Sequence, residues 1–129
     1  MTNLLLDTHV FLWWEEESPR LGKAARGEIA DPDNRIFVSA VSVFEAELKA
    51  RTGRLRLRGS LVSAIIANAF HALPVLAGEA EAAGHLDWDH GDPFDRLLVA
   101  QAKEQSLVLV TADGLIRRYP GVAQIWAAS

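Results

Sequence analysis

The apolar positions of this chain fall in short blocks separated by turn-forming residues. Asn3 to Leu6 is a brief apolar run, too short to separate strand from helix by period alone, and it stops at Asp7-Thr8, two good helix-start residues. Val10, Phe11, Leu12, Trp13 and Trp14 follow, and then Glu15-Glu16-Glu17 as a solvated end. The reading is strand, turn, helix. Ser18-Pro19 predicts a second helix start, with serine as cap and proline at the first helical position, running to about Ala30 and closed by Asp31-Pro32-Asp33-Asn34. Arg35 to Ser39 is β-rich and bounded, so it reads as a buried strand. Ser42 and Glu45 have the S-x-x-E spacing of a capping box, which predicts a helix to about Thr52 with Gly53 closing it.

A basic loop comes next, and Ser60 is placed to cap a helix from Leu61 to about His71. Leu73 to Leu76 is a short extended piece whose proline argues for an edge position. Ala77 to His85 is alanine-rich and helical, Leu86 to Gly91 is a loop, and Asp92-Pro93 opens a helix carrying Leu97, Leu98, Ala100 and Ala102. Ser106 to Val110 is the strongest strand signal. Thr111 to Gly114 reads as a turn, Leu115 to Arg118 as a short helix and Val122 to Trp126 as a last strand. The order β-α-α-β-α-α-β-α-α-β-α-β predicts an α/β fold, a three-layer α/β/α sandwich on a mostly parallel sheet. Phe37, Phe44 and Phe94 fall in core-like patterns, while Trp13 and Trp14 share the first helix, where one could face a partner.

The chain has 129 residues, which suits one domain spanning 1–129. It contains no cysteine, excluding a disulfide scaffold, a thiolate zinc site and a cysteine nucleophile, and fitting a reducing, cytoplasmic setting. No run approaches the roughly 20 apolar residues that span a bilayer, and the start lacks the basic region of a signal peptide. The net charge of −4 gives no overall attraction for nucleic acid. Lys49, Arg51, Arg54, Arg56 and Arg58, however, lie in a stretch with no acid, a local surface for an anion.

The acids are more informative by position than by number. Asp7 ends the first strand, Glu45 sits early in the helix after the second, and Asp113 follows the strand at Ser106 to Val110. In an open parallel sheet such strand ends share one edge, where ligands bind. Asp92 and Asp95, three apart, share one side of a helix's first turn. Each acid alone has a structural explanation as cap or turn residue; their convergence on one edge does not. Two carboxylates about 4 Å apart repel by about 4 kcal/mol at an effective dielectric near 20, and a helix dipole offsets only about 0.3–1 kcal/mol. Such a cluster must protonate or hold a cation, and oxygen-only ligands point to Mg²⁺ or Mn²⁺.

With those residues in view, the chain resembles PIN domains, and among them the VapC-type ribonuclease toxins of bacterial toxin–antitoxin pairs. Leu4-Leu-Leu-Asp-Thr-His-Val-Phe-Leu-Trp-Trp14 is similar to the family's LLDTHxxLWW start, and Phe37-Val-Ser-Ala-Val-Ser-Val-Phe-Glu45 to its xxSAxSxxE element. Gly53-Arg-Leu-Arg-Leu57 resembles GKLxL, His90-Gly-Asp-Pro-Phe-Asp-Arg-Leu-Leu-Val-Ala-Gln-Ala102 resembles HxDPFDRLLxAQA, and Leu109-Val-Thr-Ala-Asp113 resembles LVTxD. The sequence departs from the pattern at Asp87 and Asp89, where relatives often carry proline and histidine.

The resemblance implies an endoribonuclease that hydrolyses RNA phosphodiester bonds with a Mg²⁺- or Mn²⁺-activated water. The family's acids fall on Asp7, Glu45, Asp95 and Asp113, with Asp92 an extra acid beside the pocket. Asp7 and Asp95 are expected as main metal ligands, with Glu45, Asp92 and Asp113 secondary. Thr8 and Thr111 match hydroxyl positions near the metal. The implied partners are RNA, a small VapB-like antitoxin and a second copy of the chain. Arg51, Arg54, Arg56 and Arg58 are candidate RNA contacts, or contacts for an acidic antitoxin segment. His9 is a minor candidate, and His71, His85 and His90 read as structural or surface residues. A phospho-receiver domain is disfavoured, since Thr111-Ala-Asp113 follows the late strand with no lysine. A non-catalytic binding module and a structure-specific DNA nuclease remain as alternatives on the same fold.

Overall fold

β1 (Asn3–Leu6) lies at the centre of a five-stranded sheet and is flanked on both sides by parallel strands. The computed structural model describes residues 1–129. β1 pairs with β2 (Arg35–Ser39) on one side, Leu5 opposite Phe37, and with β4 (Val108–Thr111) on the other, Leu5 opposite Leu109. β3 (His71–Leu73) and β5 (Gln124–Trp126) close the edges, giving the order β3-β2-β1-β4-β5 with every pair parallel. The chain builds outward from β1 in one direction and then returns to build in the other. The crevice between the carboxyl ends of β1 and β4 is therefore a topological switch point.

Seven helices connect the strands: α1 (Thr8–Glu15), α2 (Lys23–Ala30), α3 (Ala40–Arg51), α4 (Leu61–Ala67), α5 (Ala77–His85), α6 (Pro93–Glu104) and α7 (Gly114–Arg117). The two-residue period of β1 sorts them into layers. Leu4 and Leu6 pack with Phe11, Ile29 and Ile65 from α1, α2 and α4, whereas Leu5 packs with Leu98, Val99 and Ile116 from α6 and α7. All three leucines are fully buried, and burial of each such side chain contributes about 1.5–3 kcal/mol. The expected three-layer arrangement is thus present, with the predicted order of elements. No helix is long and apolar enough to cross a membrane.

Several boundaries differ from those the sequence predicts. Ser18-Pro19 does not start a helix: α2 begins at Lys23, because Leu21 bridges to Ala128 and Gly22 N–H donates to Ala127 O at 2.7 Å. The backbone passes so close there that a Cβ on Gly22 would lie 2.8 Å from Ala128 O. α4 stops at Ala67, so His71 belongs to β3 and the strand precedes Pro74. β4 is shifted to Val108–Thr111, which makes Thr111 a strand residue, and β5 starts at Gln124. Phe44 is 60% exposed rather than core, lying edge-on to Phe94 with ring centroids 5.8 Å apart.

Gly53 closes α3 as expected, at φ 79°. Its N–H donates to Ala50 O and that of Arg54 to Lys49 O, the paired bonds of a Schellman turn, for which glycine has no steric penalty. Beyond the turn, Leu55 and Leu57 pack on the core while Arg54, Arg56 and Arg58 alternate outward.

Candidate active site

Five of the chain's turns from strand or loop into helix are capped by side-chain oxygens. Asp7, Ser39, Ser60, Asp92 and Asp113 are the N-caps of α1, α3, α4, α6 and α7. Asp7, Asp92 and Asp113 do more than cap. With Glu45 and Asp95 they line one cavity of about 170 Å³, together with His9, Trp13, Lys49 and Ala112. All five acids read from the sequence therefore meet. Cap and site are the same residues here, because the helix N-termini themselves point at the crevice and their dipoles favour negative charge.

Each carboxylate is oriented by a different element. Asp7 is 5% exposed; its Oδ1 accepts from Thr8 N–H at 2.7 Å and its Oδ2 from the Thr111 hydroxyl at 2.7 Å. Thr111 Oγ1 also accepts from Asp113 N–H at 3.0 Å, tying β4 to the next acid. The Thr8 hydroxyl faces Glu45 Oε1 at 2.6 Å and Ser42 Oγ at 3.0 Å. Thr8 and Thr111 thus each hold one of the acids through a hydroxyl hydrogen bond. Asp92 Oδ1 accepts from Phe94 N–H and Asp95 N–H, and Asp113 Oδ1 from Leu115 N–H and Ile116 N–H.

The capping box expected of Ser42 and Glu45 is absent. Ser39 is the cap, its hydroxyl accepting from Val41 N–H at 3.0 Å, so Glu45 lies in the second turn of α3 and is free to face the cavity. It is 5% exposed, and its Oε2 accepts from Lys49 Nζ at 2.6 Å. Lys49 stands one helical turn further along α3, and this i,i+4 spacing is the signal by which the sequence could have assigned it to the cavity.

His90 is also nearer the chemistry than its sequence position suggests. Its Nε2 lies 2.7 Å from Asp95 Oδ2, and ligand atoms of His90, Asp92 and Asp95 fall within 4.8 Å of one another. Arg96 holds it there. The guanidinium donates to the carbonyls of Ala83, Trp88, His90, Gly84 and Leu86, gathering the loop before α6 onto one side chain. Gln101, fully buried, accepts from the Ser39 hydroxyl at 2.6 Å and donates to Pro74 O and Glu79 Oε1. The polar residues of the segment from His90 to Ala102 thus divide between the cavity and its supports.

The charge balance explains what such a cavity can hold. Burial pushes the Asp7 carboxyl above its ordinary value, an effect the bonds from Thr111 and Thr8 only partly offset and neighbouring Glu45 reinforces. Asp95 is raised to about 7, by burial first and then by Asp7, Asp92 and Asp113, against the hydrogen bond from His90. Five carboxyl groups face three basic side chains, Lys49, His9 and His90. The arrangement binds protons or a cation more readily than it stays bare. The donor set, mostly carboxylate oxygen, fits a hard divalent ion, and the donors within 4.8 Å of one another are those of His90, Asp92 and Asp95.

The arginines do not line this cavity. Arg56 and Arg58 border a separate cleft of about 100 Å³ with Leu12 and Glu15 of α1 and its C-cap Glu16, and Arg51 and Arg54 are exposed. Trp13 lies in the cavity wall and Trp14 does not: its indole N–H donates to Asn68 Oδ1 at 3.0 Å.

Comparison with known proteins places this geometry. Ribonuclease VapC22 of Mycobacterium tuberculosis (strain ATCC 25618 / H37Rv) is 36% identical over 131 residues, covering 98% of this chain and 100% of that protein. The structure of DNA-bound VapBC from Salmonella typhimurium superposes with a TM-score of 0.66 at 18% identity, over 97% of this chain and 98% of that one. That of Mycobacterium tuberculosis VapC20, described as a sarcin-ricin loop cleaving toxin, gives 0.66 at 20% identity over 92% and 96%. A family model of the PIN domain matches residues 4–122. That match spans every residue lining the cavity, from Asp7 to Asp113, and the chain belongs to the PIN-domain family.

Proposed function

We propose that this chain is a metal-dependent endoribonuclease and acts as the toxin of a toxin–antitoxin pair, one PIN-like domain over residues 1–129. The observation that carries the reading is the meeting of Asp7, Glu45, Asp92, Asp95 and Asp113 in one cavity, where their mutual repulsion calls for a divalent cation. The relationship to a ribonuclease at 36% identity supports RNA as the substrate class. Catalytic roles fall to Asp7, Glu45, Asp95 and Asp113. Asp7 and Asp95 would hold Mg²⁺ or Mn²⁺, with Glu45, Asp92 and Asp113 completing the shell through water or a second ion. Bound there, the ion would supply positive charge to the phosphate oxygens and make water a better nucleophile.

The chain's own residues do the rest. Thr8 and Thr111 fix the rotamers of Glu45 and Asp7, so the carboxylates need no rearrangement when substrate arrives. His90 fixes Asp95 in the same way. In hydrolysis a water oxygen forms a bond to phosphorus as the bond from phosphorus to the leaving ribose oxygen breaks. One proton of the water passes to a carboxylate of the cluster, and the leaving oxygen takes one from solvent. Arg51, Arg54, Arg56 and Arg58, outside the cavity, would hold the RNA backbone on its way in.

A small VapB-like antitoxin as partner is supported by the fold neighbours, which include a VapBC complex. A homodimer and a cytoplasmic location complete the proposal; a monomer by light scattering at micromolar concentration would remove the dimer. The function is tested by induction in cells with mapping of new RNA 5′ ends, beside an Asp7→Asn control, and by incubation of purified protein with matched RNA and DNA. Metal-dependent cleavage of RNA that is lost in Asp7→Asn and in EDTA is expected. Full activity of a folded Asp7→Asn variant, or cleavage indifferent to EDTA, ends the reading, and preference for DNA would redirect it to a DNA nuclease.

A further inference from the structure

Lys49 is the one lysine or arginine among the residues lining the acidic cavity. Its ammonium lies 2.6 Å from Glu45 Oε2, and its side chain is 23% exposed against 7% for that of Glu45. An ammonium has three donors, and Glu45 takes one. Its backbone is fixed as well, because Lys49 O accepts from Arg54 N–H at 2.9 Å in the turn that ends α3. The residue therefore stands with a held stem and spare donors in the wall of the cavity, where α3 hands over to the basic segment Arg54 to Arg58.

A phosphodiester entering this cavity brings negative charge toward five carboxyl groups. A cation in the metal shell answers the charge of its own ligands, while a further positive group in the wall answers that of the incoming phosphate. Lysine is a compact point charge suited to a phosphate oxygen. We propose that Lys49 is a further catalytic residue of this site, its ammonium contacting a non-bridging oxygen of the phosphate being cleaved. It forms no covalent bond, and the bonds made and broken remain those of hydrolysis. The proposal rests on the nuclease reading above.

The test compares Lys49→Met, Lys49→Arg and Asp7→Asn with the parent chain, each checked for folding by circular dichroism. Three quantities are read: the single-turnover rate on total bacterial RNA, the salt dependence of binding to a fluorescein-labelled mixed-sequence oligoribonucleotide in Ca²⁺, and Mn²⁺ affinity by electron paramagnetic resonance. A phosphate contact predicts a rate loss of about 10²-fold in Lys49→Met. It also predicts a salt slope shallower by about 0.7, one single-strand phosphate contact, with Mn²⁺ affinity retained. Lys49→Arg, which keeps the charge, is expected to recover most of the rate. An unchanged rate, or a rate lost together with Mn²⁺ affinity at an unchanged salt slope, overturns the proposal; the latter would make Lys49 a positioning group for Glu45. Should Lys49→Met fail to fold, the decision passes to Lys49→Gln by the same readings. Asp7→Asn separates the two levels: if it retains full cleavage, the nuclease reading itself is wrong, whatever Lys49 does.

Discussion

The Thr111 hydroxyl donates to Asp7 Oδ2 at 2.7 Å, a buried bond between residues 104 positions apart. It joins the ends of neighbouring parallel strands, β1 and β4, and so converts the pairing of two strands into the orientation of one carboxylate. Replacing Thr111 by valine keeps the shape and removes the bond. The expected cost is about 1.5–3 kcal/mol of stability, as for hydrogen bonds to charged groups. RNA cleavage and Mn²⁺ affinity are expected to fall about 10- to 100-fold, as when an outer partner of a metal ligand is lost. Since this bond lowers the Asp7 carboxyl, its loss should also move the acidic limb of the rate–pH profile to higher pH. Thermal melting and a pH–rate series check both.

Asp7 and Asp95 both sit above the ordinary value of 3.8, chiefly through burial, Asp95 reaching about 7. Between those values the folded chain holds protons that the unfolded chain has lost, so stability falls as pH rises through that window. Protein in EDTA is expected to melt at a lower temperature at about pH 8 than at about pH 5.5, and Asp95→Asn to flatten the difference. Added Mg²⁺ or Mn²⁺ should raise the melting temperature most at the higher pH. Glu79 works in the opposite sense. Burial pushes its carboxyl up, but bonds from Gln105, Leu76 and Gln101 outweigh this and hold it below its ordinary 4.5, so its contribution disappears only as pH falls below that value.

Arg96→Met removes the donor of five bonds to carbonyls in the last turn of α5 and the loop after it while keeping the aliphatic stem. The carbonyls lie partly exposed and can turn to water, so an expected loss of about 2–3 kcal/mol is nearer to one or two charged hydrogen bonds than to five. Amide exchange should quicken across residues 84–91 first. Because His90 sits in that loop, cleavage should fall further than the stability change alone accounts for, measured below the melting temperature.

Arg54, Arg56 and Arg58 alternate outward on one extended segment. Their combined replacement by alanine is expected to weaken RNA binding and to flatten its salt slope by about 2, three single-strand phosphate contacts. An unchanged slope in a titration against salt would exclude them from the RNA path. Stability should barely move, since Leu55 and Leu57 supply the segment's packing.

Much of the fold was legible because its signals are local. The apolar run Leu4 to Leu6 ended by Asp7-Thr8, the Asp92-Pro93 start and the Gly53 stop each act within one turn or strand. The acids were legible for a related reason: a cap at the carboxyl end of a strand in a parallel sheet is already at the site, so Asp7 and Asp113 serve both purposes. The failures are tertiary. Ser39 and Ser42 stand three apart, and nothing local says which begins the helix; Thr8, from another element, decides by giving Glu45 a buried partner. Ser18-Pro19 loses its helix start to a contact with Ala127 and Ala128 at the far end of the chain. His90 looks like a surface residue until Arg96 is seen drawing its loop inward. Phe44 follows an apolar pattern on α3 but finds no cover there.

Synthesis adds a dimension of time to the sheet order. β1 is made before the other strands but occupies the middle of the sheet, and its second neighbour, β4, is translated more than a hundred residues later. A nascent chain carrying α1 through α5 has Asp7 without Thr111, and Glu45 without Asp95 or Asp113. No growing chain therefore possesses the assembled cavity, and domains that fold as units gain their chemistry in one late step. For an enzyme aimed at RNA, born in contact with the RNA of the translating ribosome, this ordering defers the capacity for damage until Thr111 and Asp113 have been added.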